Sequence, residues 1–143
     1  MDDIRLEEIN DNPELSRLLA FFGEAGGCWY ASVRPDGRVH LAPVWQVWLA
    51  PFLYVVTQPT TVRARNLATN PSVSLSLADT DNAFIIEGVA RFAPEMRDHL
   101  QPLYHAKYGW DINTDADYDA VIQIRPNKVL AWGTIGEGRW IIV

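Results

Sequence analysis

Leu15, Leu18, Leu19 and Phe22 recur at intervals of three and four, which places them on one face of a helix. Asn12 is a capping residue, Pro13 suits the first turn, and Gly26-Gly27 ends the pattern. The preceding stretch, 1–11, has room for an earlier helical turn. From Cys28 the pattern shortens towards a period of two. Residues 28–34 read as a strand, Pro35-Asp36-Gly37 as a turn, and 38–49 as a long second strand closing a hairpin. Pro43 inside it calls for a bulge or an edge position. Ala50-Pro51 turns the chain into a third strand, 52–57. A helix over 60–70 follows, capped by Thr and ended by Asn70-Pro71. Val73, Leu75 and Leu77 then alternate with Ser72, Ser74 and Ser76, a half-buried strand over 72–78. Asp79-Thr80-Asp81-Asn82 is a turn, 83–93 a strand with Gly88 at a bulge, and 94–108 a helix. The last strands are 120–125 and 128–134, split by Pro126-Asn127.

The order predicts a mainly β fold with flanking helices. Consecutive hairpins pair antiparallel. Strands with one apolar face must be covered or close on themselves, so the expectation is a small six-stranded antiparallel barrel. At 143 residues with no linker, repeat or low-complexity block, the chain reads as one domain over 1–143. A chain of this size buries roughly 68–70% of its unfolded surface and needs no staple.

Composition narrows the function. Apolar residues make up 48% and charged residues 21%, which excludes disordered, collagen-like and coiled-coil chains. No apolar run approaches the roughly 20 residues of a membrane span. The acidic N-terminus does not look like a signal peptide, so the expected location is cytoplasmic. A net charge of −6 argues against a nucleic-acid partner. Of the 12 basic residues only Lys107 and Lys128 are lysine, and arginine is the better fork for a fixed phosphate or carboxylate. Cys28 stands alone, which leaves no internal disulfide or cysteine-based zinc site and makes it a packed thiol.

Catalytic motifs are absent, and no residue is assigned a catalytic role. His40, His99 and His105 are scattered, with no metal site expected from them. There is no GxSxG, HExxH or GxxxxGK[ST]. The alternating Asp111, Asn113, Asp115, Asp117 and Asp119 imitate a calcium loop, but Ala116 and Ile122 stand where Gly and Glu are required, so the stretch reads as a solvated acidic loop. The best local signal is the strand end at Thr57 followed by Thr61-Val62-Arg63-Ala64-Arg65. A capped helix start with hydroxyls and a guanidinium is a phosphate cradle in the making, or simply a capped surface helix. Arg63 and Arg65 lie about 200° apart around a helix, so one phosphate takes one of them. The second signal is Pro43-Val44-Trp45-Gln46-Val47-Trp48, which offers an aromatic edge to a planar ring or is ordinary barrel core. Alternation puts Trp45 and Val47 on one face, Gln46 and Trp48 on the other.

These segments, with Ile86-Glu87-Gly88-Val89-Ala90 and the 124–132 stretch ending at Trp132, resemble in order and spacing the pyridoxamine-5′-phosphate-oxidase-like split barrel, which binds flavin. The resemblance implies a homodimer with FMN bound non-covalently at the subunit interface, and an oxidoreductase acting on a small molecule. It implies a phosphate clamp at Thr61, Val62 and Arg63, and flavin contacts at Val56 and Thr57. It assigns a ring-edge strand to Trp45, Gln46 and Val47, and to Trp132 a contact across to the partner subunit. Trp29, Trp110 and Trp140 are expected away from the ring. The basic C-terminal substrate segment of true pyridoxamine oxidases is missing, since only Arg139 stands there. Two rivals come from the same barrels: the deazaflavin F420, whose acidic tail favours a basic groove, and a non-enzymatic flavin- or haem-binding stress or storage protein. A barrel serving only as a dimeric interaction module is a further alternative.

Overall fold

The computed structural model describes residues 3–143. Of the expected turn over 1–11, Leu6–Asp11 forms a 3-10 helix, while Met1 and Asp2 lie outside the described residues. Helix α1 (Pro13–Glu24) starts as its sequence requires: Asn12 accepts the Leu15 amide at 3.1 Å and Pro13 opens the first turn. Leu15, Leu18, Leu19 and Phe22 are all fully buried.

The strands are β1 (Cys28–Val33), β2 (Val39–Val44), β3 (Gln46–Leu49), β4 (Phe52–Thr57), β5 (Ser72–Ser76), β6 (Ala83–Phe92), β7 (Ala120–Trp132) and β8 (Gly138–Ile141). All strand pairs are antiparallel, in the order β2-β1-β5-β6-β7-β4-β3, with β8 on β7. The two ends of this order are joined through Trp45, so the sheet curls into a split barrel. Helix α2 (Val62–Leu67) follows β4, and α3 (Arg97–Tyr108) follows β6 after a 3-10 turn at Pro94–Met96. Among the described residues no helix is long and apolar enough to cross a membrane.

The expected count of six strands is corrected to seven in the curled order, plus β8. The expected long strand over 38–49 breaks at Trp45, whose carbonyl accepts from Tyr104 Oη at 2.7 Å. The two expected last strands are one. Glu87 pairs with Lys128 but Gly88 with Pro126, so the skipped Asn127 absorbs the proline as a bulge. Gly88 is required there, because a methyl on it would strike the Arg125 carbonyl. Strand β8 was not expected at all.

Two apolar clusters result. The larger joins α1 to the barrel interior, with Tyr30, Leu53, Val55, Phe84, Ile86, Ile122 and Ile124 among its members. The smaller lies where α3 covers the outside of β3, β4 and β7, through Val47, Tyr54, Val56, Leu100, Tyr104 and Val121. This second layer matters for function, because it carries the C-terminal end of α3 to the break at Trp45.

Candidate functional site

An open cleft of about 540 Å³ lies at that break. Its lining brings together Pro43, Val44 and Trp45, then Val55 and Val56 at the end of β4, and Arg63 from α2. Tyr108 and Gly109 at the end of α3 complete it, with Trp110, Asp115 and Tyr118 from the loop that follows.

Aromatic rings build the wall. Trp45, 50% exposed, stacks on Tyr108 with centroids 4.5 Å apart and planes 2° from parallel. Trp110 meets Trp45 edge-on at 6.1 Å and Tyr118 edge-on at 5.1 Å. Polar anchors hold the rings: Tyr108 Oη donates to the Gln46 carbonyl at 2.7 Å, and Trp110 Nε1 donates to Asp115 Oδ2 at 2.6 Å. Such contacts contribute about 0.5–1.5 kcal/mol per pair beyond area burial, so the wall is fixed before any ligand arrives.

Arg63 is the electrostatic feature. It makes no hydrogen bond or ion pair among the described residues, and its Nε is buried without a partner. Burial holds its pKa below the ordinary arginine value, with Tyr30 and Tyr118 opposing that shift. An unpaired, half-buried guanidinium lining an apolar cleft is costly unless an anion meets it.

The expected site residues separate into two groups. Trp45, Val56 and Arg63 line the cleft together. Gln46, Val47, Thr57, Thr61, Val62 and Trp132 do not line it. Gln46 is fully buried, and its Nε2 donates to the Phe22 and Ala25 carbonyls at 2.9 and 3.1 Å, on the α1 side. Its own carbonyl is taken by Lys107 Nζ at 2.6 Å as well as by Tyr108. Val47 packs under α3. Thr57 is buried, with its hydroxyl 3.4 Å from that of Thr61. Thr61 caps α2 by accepting the Ala64 amide at 3.3 Å, and gives its only hydroxyl proton to the Gln58 carbonyl at 2.9 Å. Among the described residues Arg63 is therefore the one member of the expected clamp whose side chain has uncommitted protons. Val62 faces the other side of α2, towards Arg34, Arg38 and Arg65. Trp132 stands 47% exposed at the end of β7.

Trp110, expected away from a bound ring, lines the cleft. Tyr108, Asp115 and Tyr118 were not anticipated either. A signal was present: Tyr104 and Tyr108 share a helix face, and Trp110 and Tyr118 flank the acidic loop. That loop is ordered by its own acids. Asp111 accepts the Asn113 amide at 3.0 Å and Gln101 Nε2 at 3.1 Å.

A family model described as pyridoxamine 5′-phosphate oxidase matches residues 15–133. No curated protein sequence matches the chain. Solved structures share the fold. A candidate pyridoxamine 5′-phosphate oxidase from Listeria innocua is 17% identical with a TM-score of 0.69, over 86% of this chain and all of that one. An F420 reductase is 24% identical with a TM-score of 0.63, over 75% of this chain and 91% of that one. A haem storage protein from Vibrio cholerae is 18% identical with a TM-score of 0.67, over 96% and 95%. At these identities the likeness carries the fold and leaves the ligand open.

Proposed function

The chain belongs to the pyridoxamine 5′-phosphate oxidase family, and from that premise we propose that its cleft binds FMN non-covalently and that the protein is an oxidoreductase for a small molecule. The observation that carries this reading is Arg63: a half-buried guanidinium with an unpaired Nε, lining an aromatic-rich cleft, fits a planar ring with a phosphate tail. Arg63 holds the phosphate. Trp45 and Val56 bound the ring, and Tyr108 and Trp110 keep water from one side of it. The flavin, when bound, supplies the hydride or electron transfer, and the protein supplies position and electrostatics.

F420 is the second reading. It is supported by the groove of about 470 Å³ on the far side of α2, lined by Arg34, Arg65 and Arg38, the last paired with Asp36 at 2.8 Å. A basic surface of that kind suits an acidic tail. Haem is less well matched, because among the described residues no His, Cys or Met lines the cleft, and of its two tyrosines Tyr108 has its hydroxyl proton committed to the Gln46 carbonyl.

We propose a homodimer as the working unit. On the outer face of the β1–β2 pair, Trp29 lies opposite Pro43, Ala31 opposite Leu41 and Val33 opposite Val39. Val39 and Leu41 are 67% and 60% exposed. This apolar face runs into the cleft at Pro43, so a second copy covering it also closes the site. Trp132 is exposed as a residue entering a partner's cleft must be. An obligate interface buries more than about 2,000 Å² in total. Sedimentation is expected to show a species of twice 16.2 kDa at micromolar concentration; a monomer there contradicts the dimer.

Tryptophan emission tests the ligand's place. Titration with FMN is expected to quench it, and Trp45→Phe is expected to remove a large share of the quench. Full quenching in both Trp45→Phe and Trp132→Phe places the ring elsewhere.

A further inference from the structure

Three buried polar atoms near α2 have no hydrogen-bond partner among the described residues: Tyr30 Oη, His40 Nδ1 and Arg63 Nε. Strand pairing brings the first two together. Across β1–β2, Tyr30 pairs with Ala42 and Ser32 with His40. Paired residues share a face, so Tyr30, Ser32 and His40 all point into the barrel. Helix α2 brings the third. Asn66 Nδ2 donates to Ser32 Oγ at 3.0 Å, in a buried bond. Arg63 lies three residues before Asn66, on the same helix face. Three helical residues rise about 4.5 Å, against roughly 6.6–6.8 Å between alternate strand residues, so Arg63 falls short of the next strand position by about 2 Å, within the reach of its long side chain. On that face the alternate neighbours of Ser32 are Tyr30 and Arg34, and the electrostatic coupling between Arg63 and the Tyr30 hydroxyl puts Arg63 on the Tyr30 side. Their charges agree with this placement: Arg63 opposes the upward shift that burial gives the Tyr30 hydroxyl, and Arg63 and Arg34 together help depress His40.

We propose that Tyr30 is a positioning residue for Arg63. One buried water accepts the protons of Arg63 Nε and Tyr30 Oη and donates to His40 Nδ1, which fixes the guanidinium with its terminal nitrogens towards the cleft. Three hydrogen bonds are the usual complement of a buried water. The arrangement satisfies all three atoms with correct donors and acceptors, taking His40 as neutral with its proton on Nε2. It also leaves the outer fork of the guanidinium available for two parallel bonds to one phosphate. The cleft lining alone does not reveal Tyr30, because its hydroxyl acts from behind the arginine.

The proposal deepens the FMN reading, but its first test needs no ligand. In the NMR spectrum of the protein as purified, the Arg63 Nε–H resonance is identified by its disappearance in Arg63→Lys. It is expected to exchange slowly with water, and about tenfold or more faster in Tyr30→Phe. The second test compares FMN with riboflavin, which lacks the phosphate. Tyr30→Phe is expected to lose about three- to tenfold in FMN affinity, to keep riboflavin affinity, and to add nothing in an Arg63→Ala background. Unchanged exchange, equal losses for both flavins, or additive losses would overturn the proposal. If the wild-type protein binds neither flavin, the FMN reading fails and the exchange rate alone decides the role of Tyr30. If Tyr30→Phe does not fold, His40→Leu removes the water's acceptor and is read the same way.

Discussion

Arg63→Ala is expected to weaken FMN binding by at least about tenfold, while riboflavin binding and the melting temperature change little or the latter rises. The size of the loss follows from the geometry. Losing a buried charge-assisted contact to a phosphate costs about 2–5 kcal/mol, much of it the penalty on the partner left unpaired. The stability expectation has the opposite sign for the same reason. In the unliganded protein Arg63 is a half-buried cation with no counter-charge among the described residues, so removing it relieves part of a desolvation cost. Arg65, exposed on the other side of α2, serves as the control, and Arg65→Ala is expected to have a much smaller effect on FMN. Calorimetric titration of both variants with both flavins checks this. An equal or larger loss at Arg65, or an equal loss of riboflavin, means that Arg63 is not the phosphate ligand.

Tyr104→Phe is expected to be the most damaging single-atom deletion near the cleft. The fully buried hydroxyl donates to the Trp45 carbonyl at 2.7 Å and accepts the Val56 amide at 3.1 Å. These groups sit on the two sides of the break between β2–β3 and β4, where no strand ladder pairs them. Phenylalanine keeps the packing and leaves both unsatisfied. Each buried orphan costs about 1–3 kcal/mol, so a loss of at least about 2 kcal/mol is expected. In urea unfolding the midpoint should fall with the slope unchanged. A loss below about 0.5 kcal/mol would mean that the hydroxyl does not hold the break together. Because Trp45 and Val56 both line the cleft, weaker FMN binding should accompany the lost stability.

Much of the architecture was legible because local chemistry and tertiary packing agree. The stripe of Leu15, Leu18, Leu19 and Phe22 with its Asn12-Pro13 start gave α1, and the alternation from Cys28 gave the hairpin. Gly88 was correctly read as a bulge position, yet the same bulge made Pro126 harmless, and that required knowing which strand lay opposite. Strand β8 was hidden among glycines, and only its pairing with β7 and the buried Trp140 define it. The break at Trp45 was illegible for a similar reason. The hydroxyl that replaces the ladder comes from Tyr104, 59 residues away.

The site was half legible. Arg63 and Trp45 stood out because their neighbours along the chain mark a helix start and a strand. The rest of the lining did not, because Tyr108, Trp110 and Tyr118 reach the cleft only after α3 docks on the outside of the sheet. Read along the chain, Trp110 is one aromatic residue beside an acidic loop. In the fold, Asp115 holds its indole in the lining of the cleft, together with Val56.

The central claim is most directly tested by the visible absorption spectrum of the purified protein, recorded before and after addition of FMN and again after denaturation and removal of the chain. The account predicts two flavin bands that are perturbed relative to free FMN, travel with the dimer, and revert to those of free FMN on denaturation. A deazaflavin band would move the assignment to F420, a Soret band would move it to haem, and a colourless protein that takes up no added FMN would contradict the account outright.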